Sequence, residues 1–240
     1  MRTNGSLPPP PPDAPLTAEL SFEQISPEQL RIRSSTLFAE LERVAPKRYA
    51  VTARIDPTAA GMLALLRGVA SGIVHSEGGL VLHAAAAEVD GRAVLFVGPS
   101  GAGKSTALAL SDGARCFAFD NVAIVPNSDG VVAWGLPGGK SEPLAPLAPD
   151  VVYPLAAVMR VRNDTTANQL ELHRLHGTEA LFALRESVQC ADVSIGGEEQ
   201  HLQAALRICE RVPIGRMSTV LGQLHGDRLR ATLCAWEQER

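Results

Sequence analysis

Gly98-Pro99-Ser100-Gly101-Ala102-Gly103-Lys104-Ser105-Thr106 is the stretch that decides how this chain is read. It satisfies the pattern G-x-x-x-x-G-K-[S/T] at every fixed position. Its flanks supply the context that the pattern needs. Ala93-Val94-Leu95-Phe96-Val97 is a short apolar run of strand type that leads into the loop, and Ser105 to Leu110 reads as the first turns of a helix. Gly98, Gly101 and Gly103 have no Cβ, so the chain can turn tightly with its N–H groups pointing inward. Those N–H groups and the positive end of the following helix make a cradle for phosphate. In this reading Lys104 reaches the β- and γ-phosphates of a nucleotide, and the Ser105 hydroxyl coordinates Mg²⁺. The plainer alternative is a glycine-rich turn ahead of a helix, and the flanking elements weigh against it.

The rest of the composition limits what surrounds this loop. At 240 residues the chain fits one domain, or one domain with a small appendage. Aromatic content is only 4%, so Ala, Val and Leu must fill the core. The formal net charge is -4, and no basic block interleaved with aromatics is found, which argues against nucleic acid as the main partner. Cys116, Cys190, Cys209 and Cys234 are too far apart in sequence for a C-x-x-C clip. Cys116 and Cys209 lie in apolar surroundings and read as small core residues. With no signal peptide read at the start, a reduced, cytoplasmic setting is expected. The longest apolar region, Met62 to Val74, is interrupted by Arg67 and is too short for a bilayer, so no membrane partner is expected.

Three segments emerge along the chain: 1–20, 21–78 and 79–240. The first carries Pro8 to Pro12 and Pro15 and reads as an extended, disordered arm. The second is a small α/β lead-in. Within it Ser35 to Val44 is expected as a short helix and Arg48 to Ile55 as a strand. Asp56-Pro57 is expected to start a helix, with Asp56 as cap, that runs to about His75 and stops before Gly78-Gly79. The third segment opens with Leu80 to Val89, read as a strand despite its four alanines, because Asp90-Gly91 is a strong hairpin signal. A strand antiparallel to the loop-feeding strand implies a mixed sheet. Further strands are expected at Cys116–Phe119, Val122–Val125, Val131–Trp134, Leu155–Val161 and Val212–Met217. Helices are expected at Thr178–Glu186, Glu198–Glu210 and Arg228–Trp236. Leu136 to Lys140 reads as a flexible loop in which Lys140 is a weak candidate for a phosphate contact.

Leu82-His83, Asp90-Gly91, the loop G-P-S-G-A-G-K-S-T and Phe119-Asp120 form an ordered set. That set resembles the HPr serine kinase/phosphorylase superfamily, and within it the divergent branch of HPr-kinase-related proteins. The matching core runs from about Gly79 to Val125, with weaker similarity through Pro137 and Tyr153 to Ala157. The resemblance implies an α/β fold: a P-loop nucleotide-binding core with a mixed sheet, of the HPr kinase/phosphoenolpyruvate-carboxykinase-like kind, over residues 79–240. It implies ATP and Mg²⁺ as cofactors, and transfer of the γ-phosphate to a hydroxyl. It gives Asp120 the role of the acid that takes the proton from an attacking serine and places His83 beside it. Lys104 and Ser105 match the phosphate and metal contacts. The second acid of the family's pair is Asn121 here. An amide oxygen can ligate Mg²⁺ but carries no charge, so metal affinity should be weaker.

On the residues alone, His83 is either a structural histidine in an apolar strand or a site residue, and the family position favours the site. Asp120, closing an apolar strand after such a loop, sits where metal or base chemistry is found. His173-Arg174-Leu175-His176 lacks a third ligand at metal spacing and reads as surface. Arg160 and Arg162 share one face of their strand and are either solvated charge or phosphate-facing, the former being the preferred reading. Ser194 to Gln200 resembles the signature of ABC transporter ATPases, but no strand ending in Asp-Glu follows it, so Gly196-Gly197 reads as a turn before a helix. No N-K-x-D motif is present, which favours ATP over GTP. Three functions stay open: a kinase acting on a serine of a peptide or small protein, an ATP-binding regulatory module without transfer, and a small-metabolite kinase. Oligomerisation stays open as well.

Overall fold

The computed structural model describes residues 20–34, 36–136, 151–163, 170–189, 197–219 and 223–239. The expected arm before Leu20, the loop bearing Lys140, Cys190 and Ser194–Gly196 lie outside the described residues. The chain divides into two compact units, Met1–Val69 and Ala70–Arg240.

The first unit is an antiparallel meander of β1 (Ser21–Ser26), β2 (Gln29–Arg33), β3 (Leu37–Ala45) and β4 (Arg48–Ile55), in that spatial order. The helix expected at Ser35–Val44 is therefore a strand. Leu37, Ala39 and Leu41 are buried and alternate with more exposed neighbours. That period of two overrides the helix propensity of the Leu-Glu-Arg run. Arg31 on β2 ties the polar positions across strands, pairing with Glu23 and Glu40 at 3.1 Å each.

Helix α1 (Ala59–Ser76) starts later than Asp56-Pro57 predicts. Asp56 N–H donates to Thr36 O at 2.9 Å, which holds Asp56 to the end of the sheet. Thr58 is the cap instead: its Oγ1 accepts from Gly61 N–H at 3.1 Å. Gly68 lets the helix approach β2, because a Cβ there would stand 2.8 Å from Ile32 Cγ2. The helix ends as expected. Gly78 has φ 73°, its N–H donates to His75 O at 2.9 Å, and Gly79 N–H donates to Val74 O at 2.8 Å. This is the paired bonding of a glycine C-cap.

The second unit is a mixed α/β structure around a nine-stranded sheet. Its strands are β5 (Leu80–Leu82), β6 (Ala84–Val89), β7 (Arg92–Val97), β8 (Arg115–Phe119), β9 (Val122–Asn127), β10 (Gly130–Gly135), β11 (Tyr153–Asn163), β12 (Glu171–Leu175) and β13 (Ile214–Thr219). β13, β11 and β7 run parallel to one another. β6 is antiparallel to β7, β8 to β6, and β12 to β13. A meander of β5, β9 and β10 joins the start of β11 through Val132 and Ala133.

Two core clusters lie on opposite sides of the sheet, as alternation along β7 shows. Ala93, Leu95 and Val97 join one, with Ala183 and Leu184 of α3 (Gly177–Arg185) and Ile208 of α4 (Gly197–Arg211). Val94 and Phe96 join the other, with Ala107 of α2 (Lys104–Leu110) and Leu229, Leu233 and Trp236 of α5 (Gly226–Gln238). Ala84 to Ala87 are all buried, so the alanine run is an interior strand with small residues toward both helix layers. The Asp90-Gly91 turn sets it antiparallel to β7, with φ 50° and 80° at the two residues, as the hairpin reading requires.

Candidate functional site

Strand order brings the sequence motif together. β7 ends at Val97, directly before the glycine loop. β6 is antiparallel to both its neighbours, so its first residues pair with the ends of those strands: Ala84 with Val97, and Ala85 with Phe119. His83 before β6, Gly98 after β7 and Asp120 after β8 therefore meet at one end of the sheet. That end is where the parallel strands terminate, the usual ligand edge of such sheets.

The loop has the backbone that its glycines allow. Gly98, Gly101 and Gly103 have φ 142°, 79° and 92°, all unfavourable for residues with a Cβ. A Cβ on Gly98 would stand 3.0 Å from Val161 O, so the loop lies close against β11. Pro99 and Ser100 form the exposed front of the loop, and Ala102 is its buried anchor. Lys104 Nζ donates to Gly98 O at 2.8 Å and to Pro99 O at 3.1 Å, so the amine curls over the loop. Burial lowers the pKa of Lys104, and the charge of Asp120 opposes that shift. Ser105 is exposed at the start of α2, with Thr106 half-buried behind it. The far end of α2 is fixed by a buried histidine: His225 Nε2 donates to Ala107 O at 3.1 Å and lies 3.1 Å from Ser111 Oγ.

Asp120 closes β8 in the left-handed region, with φ 70°. Asp and Asn tolerate that conformation better than most residues. Its Oδ1 lies 3.9 Å from His83 Nδ1, and both side chains remain partly exposed, at 31% and 41%. His83 N–H donates to Ser187 O at 2.7 Å, so the histidine is held by its backbone while its ring reaches the carboxylate.

Asn121 differs from its neighbour. Only 6% of it is exposed, and its Oδ1 accepts a hydrogen bond from Gln189 Nε2. Its backbone N–H donates to Phe119 O, and its O accepts from Leu136 N–H, both at 2.9 Å. Gln189 Nε2 also donates to Asp120 O at 3.2 Å. The segment after α3 thus reaches back to the site, where Gln189 N–H donates to Val81 O at 3.2 Å and Val188 bridges Leu82. Sequence reasoning missed Gln189, which belongs to no motif. It also missed that Arg160, beside Val97 in register, pairs with Glu186 rather than standing as solvated charge.

The oxygen donors at this end are a hydroxyl, one partly exposed carboxylate and a buried amide. Among the described residues, no group of three or more His, Cys, Asp and Glu is placed to hold a metal. That sparse oxygen set suits Mg²⁺, which is commonly held by one or two side chains together with substrate phosphates. A Cβ on Gly101 would meet nothing within 4 Å, so the loop stands against open space there.

No family model matches this sequence, and no curated protein matches it. Among solved structures it is similar to the Hpr(Ser) kinase/phosphatase from Coxiella burnetii, at 15% identity, covering 66% of this chain and 90% of that chain, with a TM-score of 0.35. No helix among the described residues is long and apolar enough to cross a membrane.

Proposed function

We propose that this chain is an ATP-dependent kinase with an HPr-kinase-like P-loop core, and that it transfers the γ-phosphate to a hydroxyl, a serine on a peptide or small protein. The observation that carries the reading is the meeting of Lys104, Asp120 and His83 beside the glycine loop, with His83 and Asp120 3.9 Å apart. Gly98 to Thr106 would hold the phosphates through backbone N–H groups. Ser105 and Asp120 would hold Mg²⁺. Asn121 Oδ1 already accepts from Gln189, and its second lone pair is the one a cation would take. ATP with Mg²⁺ supplies the transferable phosphoryl group and a divalent charge. The chain's own part is positional and electrostatic. Lys104 offsets negative charge at the loop. The carboxylate of Asp120 accepts the proton of the attacking hydroxyl. His83, when protonated, balances the charge on Asp120, and when neutral it orients the carboxylate.

A second reading, nucleotide binding without transfer, is favoured by the buried, already bonded Asn121 in place of a second acid. One experiment separates the two. Wild type, Lys104→Ala and Asp120→Asn are incubated with ATP, Mg²⁺ and serine-bearing peptides or metabolites, and products are read by mass spectrometry beside calorimetric ATP affinities. The kinase reading expects Lys104→Ala to lose ATP affinity. It expects Asp120→Asn to bind ATP but to transfer at least about a hundredfold more slowly. Equal ATP affinity in wild type and Lys104→Ala sinks the loop assignment. Binding without transfer in wild type, switched on by Asn121→Asp, establishes the second reading.

A further inference from the structure

Among the described residues, the four-stranded sheet ends in an open edge at β4. β4 is the last strand in its order and is exposed along most of its length, with Val51 at 43%. Exposed edges are normally blunted by proline, inward charge or brevity. β4 has eight residues and no proline, and its charged residues, Arg48 and Arg54, stand toward its two ends and leave Tyr49 to Ala53 uncharged. The direction of its backbone groups follows from one bond. Asp56 N–H donates to Thr36 O, and β3 and β4 are antiparallel with Leu37 opposite Ile55. In an antiparallel ladder bonded and non-bonded pairs alternate. Ala50, Thr52 and Arg54 therefore bond to β3, while the N–H and C=O of Val51 and Ala53 project from the edge.

The side chains along that edge carry a second signal. Val51 and Ala53 lie opposite Leu41 and Ala39, which are 1% and 0% exposed. They share the apolar face of the sheet, yet both are exposed. The covered part of that face stops one strand short of β4.

The geometry points to a two-fold dimer in which β4 pairs antiparallel with β4 of a second copy, with Thr52 on the axis. This inference is independent of the nucleotide site. With Thr52 facing Thr52, the projecting groups of Val51 meet those of Ala53 of the other copy, and both sets are satisfied together. The same register sets Tyr49 against Ile55 and Val51 against Ala53 on the apolar face, which extends the face across the junction. It sets Arg48 against Asp56 at each end, an opposite-charge pair made twice. A Thr–Thr pair at the centre is also favourable. An isologous contact must be complementary to itself. This strand meets that condition in its backbone, its apolar row and its charges with one register, which is what selects a second copy over an unrelated extended peptide.

The test uses the full chain in sedimentation velocity across a dilution series. Wild type is expected to dimerise. Arg48→Asp and Asp56→Arg each place like charges opposite one another, and each alone is expected to dimerise at least about tenfold more weakly. An equimolar mixture of the two restores opposite charges at both ends and is expected to recover wild-type affinity. Val51→Pro removes a projecting N–H without touching the bonds to β3, and is expected to be monomeric, with the melting temperature of wild type when both are diluted to monomers. Wild type that is monomeric at every concentration overturns the proposal. So does a dimer indifferent to Val51→Pro, or charge variants whose mixture associates no better than either alone.

Discussion

The side-chain amide of Gln189 donates to the backbone oxygen of Asp120 at 3.2 Å and to Oδ1 of Asn121. Two adjacent residues, one with an unfavourable φ of 70°, are thus pinned by one side chain from the segment that follows α3. The carboxylate of Asp120 stays partly exposed while its backbone is held.

Gln189→Ala should release both contacts. Asn121 Oδ1 is buried, and an acceptor left without its donor there costs about 1–3 kcal/mol. Chemical denaturation should show a loss of that order. In the proposed kinase, ATP affinity should change little, because the hydrogen bonds of Gln189 run to Val81, Asp120 and Asn121 rather than to the glycine loop, while transfer falls with the loosened carboxylate. Unchanged stability would mean that Gln189 is not the partner that Asn121 relies on.

The left-handed backbone of Asp120 separates its charge from its conformation. Asp120→Asn keeps a side chain that tolerates φ 70°, so its stability should match that of wild type. Asp120→Ala should be less stable than Asp120→Asn by about 1–2 kcal/mol, because alanine gains nothing locally in that region. Thermal melts of the two variants check the order. Both should lose the proposed transfer activity alike, since both remove the carboxylate.

Much of this end of the molecule was legible in the sequence, for physical reasons that can be named. The glycine loop was readable because a turn with φ above zero at Gly98, Gly101 and Gly103 demands residues without Cβ. The alanine strand β6 was readable only because Asp90-Gly91 requires φ above zero at both turn residues, which overrides helix propensity. By contrast β3 carries helix-forming residues, and only its pairing with β2 and β4 exposes the period of two. β1, β2 and β12 are five or six residues long and largely polar, so they are strands by virtue of their partners rather than of their own pattern. Gln189 follows no motif, and only the bridge between Val188 and Leu82 brings it to the site.

Glu88 supplies a pH test. Burial pushes its carboxyl upward, but the Gly91 N–H bond and Arg115 together hold it below the ordinary glutamate value. Its Oε1 accepts from Gly91 N–H and its Oε2 from Arg115 Nε, each at 2.6 Å. A carboxylate lowered in the folded state adds stability that is present above its unfolded pKa and is lost as pH falls through the folded value. Wild type should therefore lose more stability on acidification over that range than Glu88→Gln, which keeps an acceptor for Gly91. Because Arg115 is 65% exposed, the ion pair is the smaller part and the turn bond the larger. Melting curves at stepped pH check this, and parallel curves for the two proteins would contradict it.

Gly215 in β13 tests how closely α5 packs on the sheet. A Cβ there would stand 2.4 Å from Trp236 Cη2 and 2.9 Å from Met159 Sδ, closer than real contacts allow. Trp236 and Met159 belong to one core cluster, and neither is a flexible surface side chain that can swing away. Gly215→Ala should thus overpack this layer and cost about 1–3 kcal/mol, the range seen when a methyl group is forced into a filled core. The clash is with the six-membered ring of the indole, so Trp236→Phe, itself destabilising through lost volume, should make room for the added methyl group. The double variant Gly215→Ala/Trp236→Phe should then be more stable than the two single losses added together predict, since residues in contact do not behave additively. Equilibrium denaturation of the four proteins measures that coupling. A coupling of zero would mean that the strand moves away from the helix instead, and that the spacing between β13 and α5 is not set by this glycine.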